Sequence, residues 1–390
     1  MSESIGIRCA IYRGGTSRGV YFLDNDLPYP EAIRAQILLN ILGSPDPRQV
    51  DGLGGGTSST SKTMIIGPSR LQGTEVQMLF AQVSLHSAIV DWRGTCGNLT
   101  TAVGPFAIDQ GLVTAVEPVT EVAIYSVNTR KKIIARVPVS RGRAMTQGDY
   151  RIPGVRGTGA RIDLEYVDPA GSFNGRLLPT GSPRDVIELA GKRKFTVSIV
   201  DAGHIVVFCH AHELGLRGTE LPSELEEKSH VMATLEAIRS VAAERIGIVG
   251  SCSEATRVSP AVPKIGFVSA PAAYPTMDGR LLEENDIDIV GRLLTMQTAH
   301  RAYMGAGAIC TGVAALAPGT IVSDLAGPRM RETGLLRIGH PQGVMDVSVK
   351  AALQNGYLKV QSATIARTAR RIMEGYAYVP QNCLSSCEKK

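Results

Sequence analysis

Residues 197–215, VSIVDAGHIVVFCHAHELG, repeat the pattern of residues 10–28, AIYRGGTSRGVYFLDNDLP. Each reads as an apolar run, a glycine turn, a second apolar run, then an acidic residue with leucine: Asp26-Leu27 in one and Glu213-Leu214 in the other. Short apolar runs punctuated by glycine are strand–turn–strand units. The echo continues downstream in the same order. A helical pattern follows each stretch, YPEAIRAQILLNILG at 29–43 and HVMATLEAIRSVAAERIG at 230–247. TSKTMIIGPS at 60–69 then matches VPKIGFVSAP at 262–271, which sets Lys62 opposite Lys264. Finally GTCGNLTTAVGPFAIDQGLV, from residue 94, matches GAGAICTGVAALAPGTIV, from residue 305, with Cys96 opposite Ala306. The separation grows as loop insertions would make it grow: 187 residues for Asp26 and Glu213, 202 for the lysines, 210 for Cys96 and Ala306. Four echoes in one order predict an α+β chain of two pseudo-repeated domains, 1–187 and 188–390, meeting near 182–192. The C-terminal strand is expected to return to the first domain. A cleft between the two is the place for a small-molecule site.

The composition agrees with a globular chain. Of 390 residues 44% are hydrophobic and 20% charged, which excludes disorder. Aromatics are only 5% while glycine reaches 42 residues, so the cores are to be built from Val, Ile, Leu and Ala with many tight turns. A net charge of +5 favours small anions but lacks the clustered basic face that nucleic acid needs. The densest basic runs, Arg130-Lys131-Lys132 and Lys192-Arg193-Lys194, each precede an apolar run and read as solvated hairpin edges. The seven cysteines stand at 9, 96, 209, 252, 310, 383 and 387, and only Cys383 and Cys387 approach a metal spacing, with no second pair. His210 and His212 resemble a metal pair without a third ligand, so no metal is expected. With no apolar leader and no membrane-length run, the expectation is a reduced, cytoplasmic protein with no membrane partner.

GGGTSSTSKT, residues 54–63, differs from a phosphate-binding loop by one glycine. Such a loop works by following a buried strand and opening a helix. Here GSPDPRQVDGLG precedes it and TMIIGPS, a β-rich run stopped by Gly67-Pro68, follows. Both flanks reject the nucleotide reading. The hydroxyls and glycine amides remain suited to an anion such as a carboxylate.

RGTCGNLTTAVGPFA carries the most chemistry. Cys96 stands where a helix of small residues is expected to begin, a position that stabilises a thiolate; the alternative is a small buried hydrophobe. YRGGTSRG, GSPD, DGLGGGTSSTSK and GTCGNLTTAVGPFAID together resemble the PrpF-type isomerases, and GAICTGVAALAPGTIV and SATIARTARRIMEGYAYVP extend the resemblance over nearly the whole chain. Two departures stand out: Arg18 replaces a lysine usual near the start, and His204-Ile205 replace an Asn-Pro common after DAG.

The resemblance implies a diaminopimelate-epimerase-like fold and a cofactor-independent isomerase of unsaturated di- or tricarboxylates: methylaconitate, methylitaconate, 4-oxalomesaconate or aconitate. It implies Lys62 and Cys96 as the acid/base pair, brought together at the mouth of the cleft. Thr16, Ser17, Arg18, Gly56, Ser58, Ser59, Gly97, Asn98, Lys264 and Gly307 are expected to hold the substrate. Asp91-Trp92 is expected to position the cysteine loop, and His204 and His300 are lesser candidates for substrate contact. Epimerases of this fold use two cysteines, one per domain; here the counterpart of Cys96 is Ala306, and Cys310 reads as packing. Two alternatives stay open: an amino-acid racemase or epimerase on the same fold, and a non-catalytic partner of an aconitase-like dehydratase. A homodimer is expected from the family.

Overall fold

The computed structural model describes residues 3–354 and 357–384; Cys387 lies outside them. Strands follow the apolar runs. The first half contains β1 Ser4–Gly14, β2 Ser17–Leu23, β3 Lys62–Pro68, β4 Val76–Val83, β5 Val119–Ser126, β6 Lys131–Ser140 and β7 Ile162–Val167. The second contains β8 Asp185–Glu188, β9 Lys194–Asp201, β10 Ile205–His210, β11 Lys264–Ser269, β12 Ile289–Thr295, β13 Leu335–His340, β14 Gly343–Gln354 and β15 Tyr357–Arg367, and β16 Ala369–Pro380 closes the chain. The expected division after residue 187 lies inside β8, which pairs with β9.

The ladder makes the internal repeat explicit. From one end it runs β16–β1–β2–β3–β4–β5–β6–β7, and from the other β8–β9–β10–β11–β12–β13–β14–β15. In the first series the successive pairings are antiparallel, antiparallel, parallel, antiparallel, parallel, antiparallel, antiparallel. The second series has the same succession. β7 and β15 pair antiparallel and join the two. Each half thus receives its outermost strand from the chain leaving the other: β8 follows β7, and β16 follows β15 to lie along β1.

Period-two burial explains how helices cover both sheet faces. Cys9, Val20, Phe22 and Ile65 pack with Ile37, Leu38 and Leu42 of α1, Glu31–Leu42, on one face. Their neighbours Ala10, Tyr12, Tyr21 and Met64 face Leu99, Val103 and Phe106 on the other. In the second half Val207, Ile265 and Phe267 pack with Leu235, Ile238 and Ala242 of α4, Ser229–Arg245, while Val206, Phe208 and Val268 join Ile309 and Val313. α1 starts after its N-cap Pro30 and stops at Gly43, whose φ of 71° is the left-handed conformation glycine takes without a Cβ clash.

One expected helix is broken. Residues 97–109 form α2, Gly97–Thr100, and α3, Val103–Asp109, rather than one continuous rod. Pro105 has no amide hydrogen for the carbonyl of Thr101 and its ring crowds that position. The chain tightens instead, with the amides of Thr101 and Ala102 bonded three residues back to Asn98 and Leu99. The equivalent α5, Gly305–Leu316, has no proline and is continuous. Residues 87–92, SAIVDW, an apolar run that reads as a strand, form one only at Val90–Asp91. Among the described residues no helix is long and apolar enough to cross a membrane.

Candidate active site

Lys62 is the first residue of β3 and Cys96 caps α2, so a strand start and a helix start deliver the two groups to one point. Lys62 Nζ lies 3.4 Å from Cys96 Sγ and 3.3 Å from Ser17 Oγ, at the start of β2. The amide of Leu99 donates to the sulfur at 3.5 Å. Close approach of β2 to β3 requires Gly19, because a Cβ there would stand 2.9 Å from the carbonyl oxygen of Lys62.

The hydroxyl-rich loop leads into the strand β3, where a nucleotide-binding loop would open a helix. Two glutamines hold it. Gln49 accepts from the amide of Gly56 at 3.0 Å and donates to Ser61 Oγ at 2.7 Å. Gln82 donates to the carbonyls of Ser58 and Ser61. Gly56 has φ 65°, and Thr57 Oγ1 bonds Ser59 and Thr60. Arg18 donates from its amide to the carbonyl of Ser59 and from its guanidinium to that of Leu53, which turns it along the loop. Asn98 Nδ2 donates to Thr16 Oγ1 at 3.0 Å. The two glutamines escaped sequence reading; their signal is register, since Gln82 stands directly opposite Lys62 across β3 and β4.

The second half meets this cluster at the two helix starts. A Cβ on Gly97 would fall on the amide nitrogen of Ala306, and one on Gly305 would lie 2.9 Å from the carbonyl carbon of Gly97. Cys96 and Ala306, matched in the sequence repeat, therefore sit at abutting ends. Cys310, one turn on, donates to the carbonyl of Val200 at 3.3 Å, as a packing residue. Gly307 is packed against Leu293 and Met304. Lys264 opens β11 as Lys62 opens β3, and its Nζ donates to Thr295 Oγ1 at 2.6 Å. Asp91 ties the halves: its carboxylate accepts from the amide of Arg93 at 2.8 Å and from that of Ala261 at 3.1 Å.

The pair sits below the cleft rim rather than at its mouth, with Lys62 4% and Cys96 7% exposed, because the abutting glycines bring the helix starts together over it. Two cavities flank it. One of about 420 Å³ is lined by Thr16, Gly56, Ser58, Ser59 and His300; the other, of about 500 Å³, by Trp92, Arg93, Thr95, Arg130 and His204. Lys62 and Cys96 line neither, nor do their hydrogen-bond partners Ser17 and Leu99, whereas Thr95, next to Cys96 in the chain, lines the second.

The electrostatics are those of a desolvated cationic pocket. Burial pushes Lys264 down to about 7, with Asp91 opposing and the charge of Lys62 adding to the shift. His300 and His204 are pushed down to about 3, by burial first and then by Lys62 and Lys264 respectively, so both rings are neutral. Among the described residues, buried side-chain atoms without a hydrogen-bond partner include Thr95 Oγ1, Asn98 Oδ1, His204 Nε2, His300 Nε2 and Arg367 Nε. Unpartnered buried polar atoms are costly unless a ligand satisfies them. Thr95 and Arg367 carried no sequence signal of their own. His204 did: the 187-residue offset places it opposite Ser17.

The chain is similar in sequence and fold to proteins of known kind. The family model for the PrpF protein aligns with residues 4–380. The chain is 44% identical over 383 residues to a 3-methylitaconate isomerase from Eubacterium barkeri, covering 97% of this chain and 98% of that one. It is 39% identical over 390 residues to a 2-methyl-aconitate isomerase from Shewanella oneidensis, covering 97% and 98%. A crystal structure of methylitaconate-delta-isomerase superposes with a TM-score of 0.77 at 41% identity, over 100% of this chain and 99% of that chain. A probable proline racemase from Agrobacterium radiobacter K84 shares the fold at a TM-score of 0.54 and 13% identity, covering 96% and 93%. Matched almost end to end by both the family model and its relatives, this chain belongs to the PrpF family.

Proposed function

We propose that this isomerase moves a proton allylic to a carboxylate on an unsaturated di- or tricarboxylate, by double-bond shift, tautomerisation or cis-trans isomerisation. The observation that carries the reading is the 3.4 Å contact between Lys62 Nζ and Cys96 Sγ, beside a cavity whose wall is rich in hydroxyls from Thr16, Thr57, Ser58, Ser59 and Thr298. The thiolate of Cys96 takes the allylic proton: a C–H bond breaks, an S–H bond forms, and the electron pair spreads through a dienolate onto carboxylate oxygen. The ammonium of Lys62 returns a proton at the far end of the allyl unit, and the thiol resets the lysine across their contact. Oxidation state does not change, so the step needs no redox cofactor.

Stabilising the dienolate is the main demand, and donors aimed at the developing charge typically contribute about 3–4 kcal/mol each. The amides of Gly97 and Asn98, in the first turn of α2, and the hydroxyls of Ser17, Ser58 and Ser59 are assigned to it. Thr16, Arg18, Gly56 and Lys264 complete the carboxylate-binding wall, and Gly307 supports it through α5. The same proposal divides the chain near 182–192 and includes a homodimer. The exposed row of Ile372, Tyr376 and Tyr378 on the outermost strand β16 supports the dimer, and sedimentation velocity checks it.

The racemase alternative requires a second thiol facing Cys96, and the position across from it is held by Gly305 and Ala306. The test is proton NMR in deuterated water with a panel of the four acids, beginning with 3-methylitaconate, the acid named for the 44%-identical relative. Deuterium entry with isomer formation is expected. No exchange on any acid, or full activity in Cys96→Ala as the accessory-partner reading requires, overturns it.

A further inference from the structure

We infer that the 500 Å³ cavity is a second binding site, fitted to a small hydroxy acid whose carboxylate end lies against Arg93 and Arg130 and whose hydroxyl donates to Nε2 of His204. The internal repeat explains why a cavity stands there. The 420 Å³ cavity is lined by Thr16 at the first glycine turn, by residues 56–59 ahead of Lys62, and by residues 298–302 ahead of α5. The 500 Å³ cavity takes the counterpart places with the halves exchanged: His204 and Ile205 at the second glycine turn, Val262 ahead of Lys264, and Trp92, Arg93 and Thr95 ahead of α2. The offsets of 187, 202 and 210 residues set His204 opposite Ser17, Val262 opposite Thr60, and Trp92 opposite Ala302. One fold therefore makes two recesses, one on either side of the abutting helix starts.

The second recess has chemistry of its own, independent of what the first one binds. Arg93 and Arg130 outnumber Glu31, the one acid that lines it, so the wall favours a carboxylate. Arg93 Nη1 donates to the carbonyl of Val258 at 2.9 Å, which ties the guanidinium across the seam and leaves its other N–H groups for a ligand. The segment carrying Ser172 and Phe173 is fixed by a buried carboxylate: Ser172 Oγ and the amide of Phe173 donate to Asp201 at 2.6 and 2.7 Å. Two buried side chains of the lining are unsatisfied. His204 is 5% and Thr95 8% exposed, and neither Nε2 of the one nor Oγ1 of the other has a partner. His204 Nδ1 faces the carbonyl of Ile205 at 3.1 Å, which can only accept, so Nδ1 holds the hydrogen and Nε2 presents a lone pair. That lone pair repels a carboxylate and accepts from a hydroxyl. A plain carboxylic acid would satisfy the arginines alone; a hydroxy acid satisfies the arginines and the imidazole together. Trp92, Ile248 and Val262 give its carbon chain an apolar wall.

The test uses the full-length protein and two probes that differ by one hydroxyl, 2-hydroxybutanedioate and butanedioate. Calorimetry is expected to show the hydroxylated probe binding about 2- to 10-fold more tightly, the range for one neutral hydrogen bond. His204→Leu is expected to erase that preference. Arg130→Gln is expected to weaken both probes about 10- to 100-fold, the range for a hydrogen bond to a charged group, and to leave kcat and KM for turnover within about twofold. A further measurement needs no variant: in wild-type protein labelled with 15N-histidine, His204 shows the Nδ1–H tautomer. Its Nε2 signal moves upfield when the hydroxylated probe binds and stays in place with butanedioate. Equal affinity for the two probes in wild type, a preference that survives His204→Leu, affinity unmoved by Arg130→Gln, or an Nε2–H tautomer at His204 overturns the inference.

Discussion

Lys62 Nζ lies 3.4 Å from Cys96 Sγ although the two residues come from a strand start and a helix start 34 positions apart. At that distance a proton passes between them without a water, and the two groups need not act alike on substrate. Losing a general acid or base lowers rates by about 10²- to 10⁴-fold. Cys96→Ala is expected to stop deuterium entering the allylic position. Lys62→Ala is expected to allow that entry while blocking double-bond migration. Wild-type deuterium entry in Cys96→Ala, followed by NMR, would remove the thiol from the role of base.

Gly97 lies where the helix starts of the two halves abut, and a Cβ there has no room. A methyl group there meets the backbone of Gly305 and Ala306 and the hydroxyl of Tyr166 at 2.9 Å. Overpacking against backbone costs about 1–3 kcal/mol. Gly97→Ala should lower the urea midpoint at unchanged m-value and reduce activity further, since the displaced residue adjoins Cys96. A midpoint equal to wild type would show that the helix starts separate freely.

The repeat was legible because both halves solve one burial problem with the same strand–turn–strand opening, and the glycine turns at Gly15 and Gly203 both carry positive φ. That Lys62 and Cys96 come together was legible through the family resemblance, which the Gly-, Ser- and Thr-rich segments around them carry. The break between α2 and α3 was written in Pro105 but masked by the helical run of small residues. Gln49 and Gln82 were hidden because their role is set by cross-strand register and loop closure. The histidines were visible only as types: which nitrogen of His204 keeps its hydrogen depends on one backbone carbonyl.

The carboxylate-binding role proposed for Lys264 predicts proton-linked ligand binding. Its free-protein value near 7 is low because burial penalises the ammonium, and a bound polyanion restores the charged form. Below pH 7 the amine is already charged and affinity is flat in this group. Above pH 7 binding must take up a proton, and affinity for propane-1,2,3-tricarboxylate, a saturated probe that cannot isomerise, should fall by up to about tenfold per pH unit. Stability has the opposite slope: the unfolded chain holds this proton more tightly, so stability rises with pH from about 7 toward the ordinary lysine value of 10.5. Calorimetry in two buffers of different ionisation enthalpy measures the uptake. No proton taken up at pH 8 would place Lys264 outside the electrostatic reach of the ligand.

Asp91 tunes that linkage from the opposite side. After burial, its carboxylate has the largest influence on Lys264, and it raises the value. The same carboxylate accepts from the amides of Arg93 and Ala261, one from each half, so it also fixes the segment leading to Cys96. Asp91→Asn keeps the shape but removes the charge and turns an NH2 group toward one of those amides. Leaving that donor unmet costs about 1–3 kcal/mol, visible as a lower melting temperature. With its counter-charge gone, Lys264 loses its proton at lower pH, so the decline in probe affinity begins below the wild-type midpoint. A stability loss with an unmoved binding profile would make Asp91 a structural tie alone; a profile shifted to lower pH establishes that one buried carboxylate sets both the join between the halves and the charge available to the substrate.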